Sequence, residues 1–163
     1  MRYRSMSVRV RWRAGLTPVH PASEYDVRMP LFDHLGFSVE DLPRSIAQFD
    51  PVMQALGCTR QDAHNSVAWS RGMEELILFP AREPGSGPHR HGRVGFQHLA
   101  FAVESRAEVD RLHAIALEAG WTAVREPKLY PRFNERYYAS YVEDDNGIRI
   151  EFMFNPPREP AAD

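Results

Sequence analysis

The sequence has almost no cysteine and no long apolar run, and each shortage narrows its chemistry. Cys58 is the only cysteine of the 163 residues. An intrachain disulfide and a cysteine-rich zinc site are therefore excluded, so any metal must be held by histidine and carboxylate. No stretch approaches the roughly 18 apolar residues that cross a bilayer, which argues against a membrane protein. Formal net charge is only −2, with no basic excess to neutralise phosphates, so nucleic acid is not an expected partner. Also missing are GxGxxG, the P-loop, GxSxG and HExxH.

What is present is a composition of ordinary globular kind, 43% hydrophobic and 26% charged, in a length that suits one domain or two small modules sharing a core. Charge is uneven. Residues 1–28 carry six arginines against Glu24 and Asp26, whereas residues 29–163 carry 14 basic and 20 acidic residues. The basic segment lacks the apolar core of a secretory signal, and Pro18, Pro21 and Ser23 break its second half. It is expected to be a disordered extension or sequence preceding a start at Met29, with an edge strand over residues 7–13 as the alternative. A cytoplasmic location is the matching expectation.

The rest of the chain repeats itself. Phe32-Asp-His-Leu-Gly-Phe-Ser-Val-Glu40 and Phe96-Gln-His-Leu-Ala-Phe-Ala-Val-Glu104 agree at six of nine positions, at a constant offset of 64. Both alternate apolar and other residues as half-buried strands do. Helical i, i+3, i+4 spacing follows each: Ile46, Phe49, Val52, Met53 and Leu56, then Val109, Leu112, Ile115, Ala116 and Ala119. Pro43 suits a first helical turn, Gly57 and Gly120 suit helix ends, and Pro51 suggests a kink. Short strands complete each half: 59–63, 66–70 and 75–79, then 121–125, 137–143 and 148–154, the last two joined by Asp145-Asn146-Gly147. The fold class predicted is α+β. Two tandem βαβββ modules, residues 30–81 and 94–156, form a half-open mixed-sheet barrel around a cleft with the helices outside. A Gly/Pro linker spans residues 82–93, and residues 157–163 form a tail.

Period-2 parity selects residues for the cleft. His34 and His98 hold equivalent positions and are expected to converge from the two modules. Ile150, Phe152 and Phe154 take one face of the last strand, which turns Arg149, Glu151 and Met153 to the other. A carboxylate in a partly enclosed cleft needs a partner or a metal. His34, His98 and Glu151 thus form a two-histidine, one-carboxylate set for one divalent ion, Fe, Mn, Zn, Ni or Co. Glu75-Leu-Ile-Leu aligned with Glu151-Phe-Met-Phe makes Glu75 the counterpart of Glu151, as a fourth ligand or a proton-shuttling base. Tyr138, beside the Glu151 strand, is expected near the metal as a hydrogen-bonding catalytic group. Trp69, Tyr130 and Arg149 are expected to line the cleft for substrate, Arg149 pairing with an anion or with Glu143. His89 and His91, in the linker, are read as solvated or lid residues.

These blocks, with the ending Tyr137-Tyr-Ala-Ser-Tyr-Val142 through Asp144-Asp-Asn-Gly147 to Ile150-Glu151, resemble the vicinal oxygen chelate superfamily over residues 30–156. That group includes glyoxalase I, extradiol dioxygenases, and fosfomycin and bleomycin resistance proteins. The resemblance implies a divalent metal on His34, His98 and Glu151 that chelates vicinal oxygens of a small substrate. It implies lyase, isomerase or dioxygenase chemistry, and a homodimer as a possible assembly. The alternative is a metal-free drug- or metabolite-binding protein of the bleomycin-resistance type.

Overall fold

A computed structural model describes residues 32–157. The expectations for residues 1–28, and most of the 157–163 tail, lie outside the described residues. The first module runs β1 (His34–Val39), α1 (Leu42–Ala55), β2 (Thr59–Ala63), β3 (Ser66–Arg71) and β4 (Glu74–Pro80). The second runs β5 (Leu99–Ala102), α2 (Arg106–Glu118), β6 (Thr122–Leu129), β7 (Tyr138–Glu143) and β8 (Arg149–Phe154). Both are βαβββ, as the repeat predicts, and the class is α+β.

Each module makes one four-stranded mixed sheet, in the orders β1-β4-β3-β2 and β5-β8-β7-β6. In each sheet the strand before the helix pairs in parallel with the last strand of its module, β1 with β4 and β5 with β8. Among the described residues no strand pair joins the two sheets. The helices begin where side chains can cap them. The Asp41 carboxylate accepts from Arg44 N–H ahead of α1, and the Ser105 hydroxyl accepts from Glu108 N–H ahead of α2. α1 continues through Pro51.

One apolar core serves both modules. Val39, Leu76, Leu78 and Trp69 from the first sheet meet Phe49, Val52 and Met53 of α1. Val109, Leu112 and Ala116 of α2 meet Val142, Ile150 and Phe152 of the second sheet. The two helices touch, and Trp121 fixes the seam: its ring lies 4.7 Å from that of Phe49, and its indole N–H donates to Gln48 O at 2.8 Å. The 145–147 turn adds a second tie, with Asn146 Nδ2 donating to Ser45 Oγ at 3.0 Å and Asn146 Oδ1 accepting from Glu40 N–H at 2.8 Å. The linker docks on the same turn, where His89 N–H donates to Asn146 O at 2.8 Å. Among the described residues no helix is long and apolar enough to cross a membrane.

Candidate functional site

The sheet faces opposite the helices carry the polar groups, as parity requires. On the second sheet, Glu151 is 1% exposed. Its Oε1 accepts from the Tyr141 phenol at 2.7 Å and from the Tyr137 phenol at 2.9 Å. Its Oε2 lies 2.9 Å from His98 Nε2. These partners offset what burial of a carboxylate would otherwise cost. Burial and donation to Glu151 push both phenols up, Tyr137 to about 12 and Tyr141 higher, so both are fixed as neutral donors. Tyr141 stands directly across from Glu151 in the β7–β8 ladder. Its ring also meets the His98 ring edge-on, 5.7 Å between centroids.

The two histidines are prepared alike. His34 Nδ1 is 2.7 Å from Asp33 Oδ1, and His98 Nδ1 contacts Gln97 Oε1. Asp33 and Gln97 occupy equivalent positions of the repeat. With Nδ1–H donating to these acceptors, Nε2 is left as the lone-pair nitrogen, the tautomer a metal ligand needs. A neutral Nε2 at 2.9 Å from a carboxylate oxygen then places two acceptors face to face, unless a proton or a cation lies between them. Two ligands about 2.05 Å from a metal at a right angle are about 2.9 Å apart, so the pair fits adjacent corners of a coordination sphere.

His34 does not join this pair. It stands on the first sheet in register with Glu75, with 57% of its side chain exposed. Among the described residues no three His, Cys, Asp or Glu side chains gather into a metal-binding group. The expected convergence of His34 with His98 and Glu151 is therefore not made within one chain, because the modules pack through their helices and not through their polar sheet faces.

Two other expectations, those for Trp69 and Tyr138, are corrected. Trp69 is 1% exposed, stacks on Phe49 and donates its indole N–H to Asp50 Oδ1 at 2.8 Å, so it is a core residue beneath α1. Tyr138 points to the helix side, where its hydroxyl donates to Asp110 Oδ1 of α2 at 2.8 Å. The neighbours of opposite parity, Tyr137 and Tyr141, reach Glu151 instead. Arg149 does face the polar side, but it is paired with Glu143 at 2.8 Å. Tyr130 is buried against Tyr141, Tyr137 and Phe133, and that burial raises its phenol while Arg125 works against the rise. A cavity of about 110 Å³ opens beside His98 and Tyr141, bordered also by His91.

The profile of the Glyoxalase/Bleomycin resistance protein/Dioxygenase superfamily matches residues 31–152. The chain belongs to this superfamily. Similar proteins include the uncharacterized protein PA2024 of Pseudomonas aeruginosa, 30% identical over 82% of this chain and 95% of that one. The uncharacterized protein YqjT of Bacillus subtilis is 27% identical over 74% of this chain and 95% of its own length. Among solved structures, a glyoxalase/bleomycin resistance protein from Albidiferax ferrireducens superposes with a TM-score of 0.65 at 22% identity, covering 78% of this chain and all 100% of that one. The fosfomycin resistance protein FosX from Mesorhizobium loti gives 0.56 at 19% identity, over 76% and 90%. Both likenesses establish the fold.

Within this glyoxalase-superfamily chain, strand register also corrects the role of Glu75. In the first module Leu35 pairs with Leu76 and Gly36 with Ile77; in the second Leu99 pairs with Ile150 and Ala100 with Glu151. The repeat offset equates Leu35 with Leu99, so Leu76 corresponds to Ile150. The counterpart of Glu151 is then Ile77, and Glu75 corresponds to Arg149. Glu75 shares the polar face with His34 but lies one step of two residues away from the position of Glu151.

Proposed function

We propose that the chain is a divalent-metal-dependent glyoxalase-like enzyme, with His34, His98 and Glu151 as the ligands and a small oxygenated molecule as substrate. The observation that carries this reading is the buried Glu151, held by two phenols on one oxygen and facing His98 Nε2 at 2.9 Å on the other. A bound divalent ion would act as a Lewis acid toward substrate oxygens. The chain's own residues supply the rest. Tyr137 and Tyr141 orient the carboxylate, Gln97 and Asp33 orient the imidazoles, and the Tyr130–Phe133–Tyr137–Tyr141 ring cluster excludes water from one side.

His34 reaches the other two ligands through a second copy of the chain. The polar face of the first sheet supports this: His34 and Phe79 are exposed there, with Glu75 and Ile77 half-buried, and the ring of Phe79 lies across Gly36. A homodimer that seats this face against the second sheet of its partner completes two equivalent sites. Glu75, beside His34, is the group available as a base.

The test is metal content by elemental analysis, together with mass in solution. Wild type should hold one ion per chain, and His34→Ala, His98→Ala and Glu151→Gln should each lose it. Mixing refolded His34→Ala with Glu151→Gln chains should restore metal, because one site of the mixed dimer is then intact. Failure of wild type to bind any divalent ion overturns the enzyme reading in favour of metal-free binding in the aromatic cleft. In that case His98 and Glu151 simply pair with each other.

A further inference from the structure

The cavity beside His98 is bordered by Arg125, Arg132 and Arg149 and, among the described residues, by no aspartate or glutamate. That is notable in a domain whose residues 29–163 carry 20 acids and 14 bases. We propose that this cavity is an oxyanion subsite, so that the substrate carries a carboxylate or a phosphonate-type group on the same small molecule that meets the metal. The inference deepens the metalloenzyme reading above and rests on it for the identity of the site.

Three features prepare these arginines for an anion. Arg125 lies over the Tyr141 ring at 5.5 Å and Arg132 over the Phe133 ring at 4.6 Å. Stacking holds a guanidinium by its face and leaves the N–H edge free for the planar, forked bonding that suits carboxylate and phosphate oxygens. Among the described residues neither arginine is in an ion pair. Arg149 spends only Nε and Nη2 on Glu143, both on one oxygen at 3.1 and 2.8 Å. Its Nη1 edge is unused by that pair.

The backbone contributes as well. The β6–β7 ladder is irregular on both sides of Arg125, between Ala123 and Arg125 and between Arg125 and Lys128. Such irregularities re-aim side chains beside functional sites. Arg125 is directed onto Tyr141, whose hydroxyl holds Glu151, so the anion subsite and the carboxylate ligand share one tyrosine. Like charges brought together repel, and an oxyanion among them replaces repulsion with charge-assisted hydrogen bonds. A neutral catechol or ketone would leave Arg125 and Arg132 without a counter-charge. The cavity, about 110 Å³, suits an anionic group of a few heavy atoms.

The experiment uses the full chain, stripped of metal with EDTA. Methylphosphonate and acetate are titrated by calorimetry or NMR, with acetamide as the neutral control. At least one anion should bind more tightly than acetamide, and the tighter of the two identifies the oxyanion class. Arg125→Gln and Arg132→Gln should each weaken that anion about tenfold or more, and Arg132→Lys should recover part of the loss. Arg132 is exposed, so its variants test the subsite even if Arg125→Gln fails to fold. Acetamide binding as well as the anions overturns the proposal. So do arginine variants that leave anion affinity within about twofold, or that change only the dimer dissociation constant, since the arginines would then serve the subunit interface. Metal content measured on the same preparations before EDTA treatment, and after reloading with divalent ion, separates the two readings. Stoichiometric metal without anion selectivity sinks the subsite alone, and anion selectivity without metal sinks the metalloenzyme alone.

Discussion

Removing the hydroxyl of Tyr141 tests whether Glu151 is a positioned ligand. Glu151 Oε1 has two donors, Tyr141 at 2.7 Å and Tyr137 at 2.9 Å, and the residue is 1% exposed. In Tyr141→Phe the Tyr137 phenol is the one side-chain donor left on Oε1 among the described residues. A hydrogen bond to a charged group contributes about 1.5–3 kcal/mol, and the surviving Tyr137 bond keeps the expected loss of stability near the lower end. Orientation is lost as well, and removal of such a supporting contact typically weakens metal binding about 10–100-fold. The assay is competition with a chromophoric chelator for metal affinity, alongside urea denaturation for stability. Tyr137→Phe should behave similarly, and the double variant should cost more than either. Since the two donors share one oxygen, their effects need not add. Metal affinity unchanged within about twofold in the double variant would refute the view that the phenols hold Glu151 for a metal.

Three further outcomes are expected. Gly147→Ala should destabilise much more than Gly57→Ala: both glycines have positive φ, 75° and 80°, a cost of about 1–2 kcal/mol for alanine. Only at Gly147 would the added Cβ fall 2.0 Å from a backbone oxygen, that of His89, whereas Gly57 has nothing within 4 Å. Equal melting temperatures for the two variants would contradict that packing. Trp69→Phe removes the bond to Asp50 and leaves a gap beneath α1, so it should lower stability by about 1–3 kcal/mol without altering metal content. Burial pushes the Cys58 thiol above its ordinary range, with Arg71 opposing, so at about pH 8 its alkylation should be slower than that of a free cysteine derivative, as followed by intact mass.

Much of this fold is legible in the chain because the repeat fixes two modules and the apolar spacing fixes their helices. β7 and β8, joined through Asp145-Asn146-Gly147, lie close to their expected bounds. The site was only partly legible. Parity identifies a strand face but is blind to a shift of two residues, which is why Glu75 looks equivalent to Glu151 until the parallel pairing of β1 with β4 equates Ile77 with it. Nearness to the Glu151 strand in sequence points to Tyr138. Carrying the parity of Glu151 across the hairpin, where Tyr141 pairs with Glu151, would have selected Tyr141 and Tyr137. The separation of His34 from His98 depends on how the modules dock, and that is decided by helix contacts such as Trp121 against Phe49 and Gln48, which no strand pattern encodes.

Ile77 stands at the repeat position of Glu151, so the proposed metal centre would carry one carboxylate and not two. A divalent cation held by two neutral imidazoles and one carboxylate keeps a net charge of +1. With an additional glutamate at that position the complex would be neutral. The residual charge favours ligands that arrive as anions and lowers the pKa of any hydroxyl brought against it. Ile77→Glu should therefore shift preference toward uncharged ligands, through the electrostatics of the centre alone, with every arginine left in place.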